Sequence, residues 1–113
     1  LQAALANLGD VLRYQGKYDE ALARYRESLA LCEKSEPNAG DIARRWGLIG
    51  ETYLEQGHPE QAMQELERAL PEFLRLQGAG GYDTAYTLLS LGRAGGAVTR
   101  RLAAFVEGYL PDR

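Results

Sequence analysis

Cysteine is almost absent from this chain: of 113 residues, only Cys32 carries a thiol. One thiol excludes an internal disulfide, and with only His58 for company it cannot build a zinc site. A reducing, cytoplasmic setting is the natural expectation. Positive charge is in deficit, with 13 Lys and Arg against 16 Asp and Glu, for a net charge of −3. A nucleic-acid footprint needs a clustered basic face, and the Arg100-Arg101 pair is too small to supply one. Long apolar runs are missing too, and nothing approaches the roughly 20 consecutive residues that span a bilayer. The opening Leu1-Gln2-Ala3-Ala4 has neither the basic flank nor the apolar core of a signal peptide. No nucleic-acid partner and no membrane partner are therefore expected of this segment. Methionine occurs once, at Met63. The chain thus lacks an initiator and begins inside what reads as helix, so we expect a piece of a longer protein.

Chemistry-bearing clusters are equally scarce. No Ser-His-acid or Cys-His grouping is present, and the carboxylates are spread over polar helix faces. His58 lies in a turn beside Pro59 with no second metal ligand at a suitable spacing. The glycine-rich stretch 78–81 lacks the Lys-Ser/Thr that follows a phosphate loop, and Gly92-Arg93-Ala94-Gly95-Gly96 follows a helix where a nucleotide loop would follow a strand. No enzyme activity, metal or cofactor is expected. What remains is 45% apolar and 26% charged, the composition of an ordinary folded domain.

What is present is a repeat. Leu8-Gly9, Ile49-Gly50 and Leu91-Gly92 are apolar-Gly pairs spaced 41 and then 42 residues apart. Leu5, Trp46 and Leu88 stand four residues before each glycine. Leu12 and Tyr53 stand three after it, Gly16 and Gly57 seven, Ala21 and Ala62 twelve, Tyr25 and Leu66 sixteen. Each unit reads as two helices. Leu5, Leu8 and Leu12 form an amphipathic stripe, Gln15-Gly16-Lys17 breaks it, and Asp19-Glu20 place carboxylates in the first turn of the next helix. In the second unit we expect helices from about Ile42 to Gln56 and from Pro59 or Glu60, with Asp41 as the N-cap of the former. Pro71 should kink or break the latter near Ala69. The third unit is degraded: Tyr82 to Arg93 makes one good helix, and Val98 to Leu110 can form another. Six of the 13 glycines fall between 78 and 96, so this part should be the least regular.

These residues resemble the tetratricopeptide-repeat family, with its W-x2-L-G-x2-Y and A-x3-F pattern. The second unit offers Trp46-x2-Ile49-Gly50-x2-Tyr53 and then Ala62-x3-Leu66. The first offers Leu5-x2-Leu8-Gly9-x2-Leu12 and then Ala21-x3-Tyr25. The terminal proline is missing at Glu33 and Leu74, and the period exceeds the usual repeat of about 34 residues. Such long periods are typical of the repeats of kinesin light chains, of the G-protein-modulator scaffolds of cell polarity, and of bacterial nucleotide-switch transcription regulators. The Ala, Gly, Leu and Arg usage leans toward a GC-rich bacterium. The resemblance implies an all-α, right-handed superhelical solenoid of antiparallel helix hairpins. Residues 1–113 would form one domain of about 2.5–3 repeats, near 2–38, 43–77 and a degenerate 82–110.

It also implies where such a fold binds. Stacked hairpins curve, and the first helix of each unit lines the concave face. Gly9, Gly50 and Gly92 would let helices approach closely. Carried over from the family, the groove positions are Ala3, Ala6, Asn7, Asp10, Arg13 and Tyr14 in the first unit. They are Arg44, Gly47, Leu48, Glu51, Leu54 and Glu55 in the second, and Tyr86, Leu89, Ser90 and Arg93 in the third. Asn7, in an Asn-Leu-Gly triplet, resembles the Asn with which long-period relatives hold a ligand backbone. Arg13, Arg44 and Arg93 would hold carboxylates of a partner; Asp10, Glu51 and Glu55 its cations. The expected function is a protein–protein interaction scaffold that binds a peptide or partner helix on this face, as part of a bacterial regulatory protein. The alternative is a self-association module that forms homo-oligomers through the solenoid ends.

Overall fold

The computed structural model describes residues 1–35, 38–78, 80–94 and 107–108. Among them are five helices and no strand: α1 (Gln2–Tyr14), α2 (Tyr18–Lys34), α3 (Ala39–Gln56), α4 (Pro59–Gln77) and α5 (Tyr82–Arg93). Each helix packs chiefly against its neighbours in the chain, α1 on α2, α2 on α3, α3 on α4 and α4 on α5, and α3 makes a small further contact with α5. That serial pattern is a repeat array of hairpins, as the sequence implies. The expected helix over 98–110 lies outside the described residues except for 107–108.

The two hairpin turns close in the same way. Gly16 and Gly57 adopt φ of 78° and 85°, a left-handed backbone that side chains disfavour. Past each glycine, the Lys17 amide donates to the Leu12 carbonyl and the His58 amide to the Tyr53 carbonyl, each across the last helical turn. Each hairpin is then fastened by one glycine against one bulky side chain. A Cβ at Gly9 would stand 2.6 Å from Cε1 of Tyr25, and one at Gly50 would stand 2.8 Å from Cγ of Leu66. Tyr25 and Leu66 are fully or almost fully buried, as are Ala21 and Ala62. Burying side chains of that size contributes roughly 1.5–3 kcal/mol each.

The core is a row of three clusters along the array. The first joins Ala6, Ala21, Leu22 and Tyr25 to Ile49, so the first hairpin is sealed by the second. The second seats Ala43, Ala69 and Phe73 beside Trp46, over whose ring the Arg68 guanidinium stands 4.6 Å from the centroid. The third joins Met63, Leu66 and Leu70 to Leu91 and Ala94 of the α5 end. Cys32 is buried among such residues, and that burial pushes its thiol pKa up.

Four expectations are corrected. α3 begins at Ala39, and its cap is Asn38, whose side chain accepts from the Asp41 amide at 3.1 Å; Asp41 sits in the first turn and pairs with Arg44. α4 continues through Pro71 without a break, because Leu66, Ala69, Leu70 and Phe73 around it are all buried and hold the backbone helical. Leu8 is 45% exposed, so the inward stripe of α1 runs through Ala6 and Gly9. Gly92 meets nothing within 4 Å among the described residues, and no close crossing there requires it.

Candidate functional site

α1, α3 and α5 are the first helices of their units, and polar side chains link them across one face. Arg13 of α1 stands at the centre. Its Nη1 reaches Glu55 Oε1 at 3.0 Å and Glu51 Oε2 at 3.4 Å on α3, and its Nη2 lies 3.8 Å from Asp10 Oδ1. Asp10 in turn accepts from the Tyr25 hydroxyl, which reaches it from α2. On the far side Glu51 accepts from Tyr86 of α5. The belt therefore joins four helices through charge-assisted bonds, which are shorter and stronger than neutral ones.

Burial tunes these groups. Burial works against the Arg13 charge, but Tyr25, Glu55 and Glu51 outweigh it, and the guanidinium is held above its ordinary value. Tyr86, by donating to Glu51 and through partial burial, is pushed up to about 12. Burial first, and the bond to Asp10 second, drive Tyr25 well above the usual tyrosine range. Both phenols are thus proton donors at all physiological pH values.

Beside the belt, α3 and α5 diverge over an open groove of about 240 Å³. One wall is Arg44, Gly47, Leu48 and Glu51 of α3; the other is Tyr82, Asp83, Tyr86 and Thr87 of α5, and Leu66 and Phe73 of α4 form the floor. The rings of Tyr82 and Tyr86 stack with centroids 6.2 Å apart. A Cβ at Gly47 would meet nothing within 4 Å among the described residues, so the α3 wall leaves open space there.

Asp10, Arg13, Glu51, Glu55 and Tyr86 are thus brought together, bonded to one another. Arg44 lines the groove and spends its charge on Asp41, 3.1 Å away and one turn back. Asn7 and Arg93 are exposed, and the Arg93 charge acts on Tyr86 at the end of the belt. Ala6 and Ser90, by contrast, are buried in the core of the array and face no groove. Tyr82, Asp83, Thr87 and Phe73 are groove residues that the sequence analysis did not single out; the Tyr82–Tyr86 spacing, one helical turn, was the available signal. Among the described residues no three His, Cys, Asp or Glu side chains gather to hold a metal ion, and no helix is long and apolar enough to cross a membrane. A surface of fixed donors, acceptors and rings around an apolar floor is equipped to bind.

A family model described as tetratricopeptide repeat matches residues 1–72. No curated protein matches the chain.

Proposed function

Because this chain belongs to the tetratricopeptide-repeat family, whose repeats mediate protein–protein interactions, we propose that it holds a peptide or partner helix on the face formed by α1, α3 and α5. The single observation that carries this reading is the open groove between α3 and α5, floored by Leu66 and Phe73 and edged by exposed tyrosines and Arg44. Exposed Tyr and Arg around an apolar centre are what protein interfaces enrich. In this reading Asn7, Arg44, Tyr86 and Arg93 contact the partner directly. Asp10, Arg13, Glu51 and Glu55 form the rigid wall beside it. The chain does no chemistry of its own, and works as one domain of a larger bacterial regulatory protein in the cytoplasm, in keeping with its residue usage and lone thiol.

The test is selection from a displayed library of random dodecapeptides. Sequences enriched on the protein should lose binding to a variant with Asn7, Arg44 and Arg93 all changed to Ala. They should retain it on a control with Glu27 and Gln64, exposed on α2 and α4, changed to Ala. Equal enrichment on the concave variant contradicts the reading.

A second reading rests on α1 alone. Ala4, Leu8 and Val11 form an exposed apolar row, Leu8 at 45% and Val11 at 52%. Their counterparts 41 residues on are Arg45, Ile49 and Thr52, all buried. A second copy covering this row would make the chain a self-association module. Sedimentation at two protein concentrations tests it: a monomer at both removes this reading.

A further inference from the structure

The groove's dimensions and unspent charge identify what it takes. A volume of about 240 Å³ falls below the roughly 300–1,000 Å³ of small-molecule sites. It accommodates one large side chain, and its floor of Leu66 and Phe73 with the Tyr86 ring on one wall is apolar. Gly47 stands in its α3 wall. A glycine inside a helix costs about 1 kcal/mol relative to alanine, and here no neighbouring atom among the described residues requires it. Local rules are broken at functional or strained sites, and this glycine stands in the groove wall.

The charges around the slot are unequal in what they have left to offer. Glu51 already accepts from Arg13 and Tyr86, and Asp83 accepts from Gln77 Nε2 at 2.6 Å. Among the described residues Arg44 pairs with Asp41 alone, in an exposed pair whose Arg side chain is 52% accessible; such pairs contribute about 0–1 kcal/mol. Arg45, on the same helix end, bonds the neutral Ser28 hydroxyl and has no carboxylate partner among the described residues. Asp83 keeps its negative charge on the α5 wall, and Arg44, exposed where Arg45 is buried, is the cation open to a partner on the α3 wall.

We infer that the groove between α3 and α5 seats one bulky apolar side chain of a partner segment against Gly47, with an Asp or Glu of the same segment held by Arg44. This rests on the concave-face reading above. The geometry is compatible with an extended segment. Arg44 stands one turn from Gly47, about 5 Å along the helix axis, and residues i and i+2 of an extended strand project on the same side about 7 Å apart. Asp10 and Glu55, which share Arg13 with Glu51, leave the belt with an excess of negative charge that disfavours a carboxylate there.

The test uses three capped nonapeptides in a Ser/Gln background, titrated to about 1 mM while amide chemical shifts are followed. One carries Phe at its centre and Asp two residues away; the second has Lys for that Asp; the third has Ser for the Phe. The first should move the Gly47 and Leu48 amides and bind about tenfold more tightly than the second, and the third should not bind. Arg44→Glu should invert the order of the first two. Gly47→Trp should abolish binding while its thermal melt stays cooperative; Gly47→Gln serves if the Trp variant fails to fold, and Gly47→Ala should bind several-fold more weakly. Binding that Gly47→Trp removes but that ignores the Asp-to-Lys exchange overturns the partner chemistry and leaves the concave-face reading standing. Binding that ignores both Gly47→Trp and Gly47→Gln overturns both. Failure of all three peptides to shift any groove amide overturns the inference.

Discussion

Three glycines separate a residue that the fold requires from one that it only tolerates. At Gly9 and Gly50 an added methyl group collides with a buried partner, Tyr25 or Leu66, and at Gly47 it meets nothing. Gly9→Ala should therefore lower stability by about 1–3 kcal/mol despite its better helix propensity, because Tyr25 is held in place by Asp10. Gly47→Ala should raise stability by about 0.5–1 kcal/mol. Urea denaturation measures both, and opposite signs at the two positions are the expected outcome. Arg13→Met would leave Glu51, whose side chain is only 11% accessible, without its countercharge, for a loss of about 1–3 kcal/mol. Adding Glu51→Gln should recover part of that loss. The proton on Tyr86 gives a pH signature. Its folded pKa of about 12 exceeds the ordinary 10, so the folded chain keeps a proton that the unfolded chain loses. Its contribution is complete below about pH 10 and is lost as pH rises through about 12. Tyr25 shifts the same way. Urea midpoints should fall between about pH 9 and about pH 11, less steeply in Tyr86→Phe.

Helices and turns were the most legible elements in the sequence, because apolar spacing and turn glycines act within a few residues. Gln15-Gly16-Lys17 and Gln56-Gly57-His58 form matching turns as the repeat predicts. What escaped was decided by tertiary contact or by competition between neighbours. Asn38 and Asp41 are both good caps, and only the backbone decides between them: Asn38 is extended, while Asp41 is already inside the helix. Asn38→Ala should cost about 1 kcal/mol, and Asp41→Ala less. Pro71 reads as a breaker, and a proline inside a helix costs about 3 kcal/mol; burial of the residues on both sides of it outweighs that cost. Pro71→Ala should then raise stability by about 1–3 kcal/mol with helicity unchanged, which denaturation followed by circular dichroism measures. The third unit shows why only part of the groove was legible. Its glycine comes after 42 residues where the previous spacing is 41, and one residue turns a helix by roughly 100°. Of the groove positions carried across that step, Tyr86 reaches the wall, but Ser90, aligned with the exposed Asn7, is buried. Tyr82, Asp83 and Thr87 take the wall in its place.

At the scale of the whole molecule, serial stacking leaves two kinds of surface unpaired. One is the row of Ala4, Leu8 and Val11 on α1, which a second copy can cover; Leu8→Glu with Val11→Lys should then dissociate any oligomer without lowering the stability of the monomer. The other is the face of α1, α3 and α5, where the belt centred on Arg13 holds three first helices at a fixed distance and the α3–α5 groove stays open beside it. A wall fixed by internal bonds loses little conformational freedom on binding, so its contacts are not offset by ordering. The belt and the groove make a joint claim: partners bind on the first-helix face and leave the outer helices untouched. The most direct measurement is an amide chemical-shift map of the whole chain with a library-selected dodecapeptide. The largest changes should fall at Asn7, Arg44, Gly47 and Tyr86, with Glu27 and Gln64 unmoved. Changes concentrated on α2 and α4, with Gly47 and Tyr86 silent, would contradict the account.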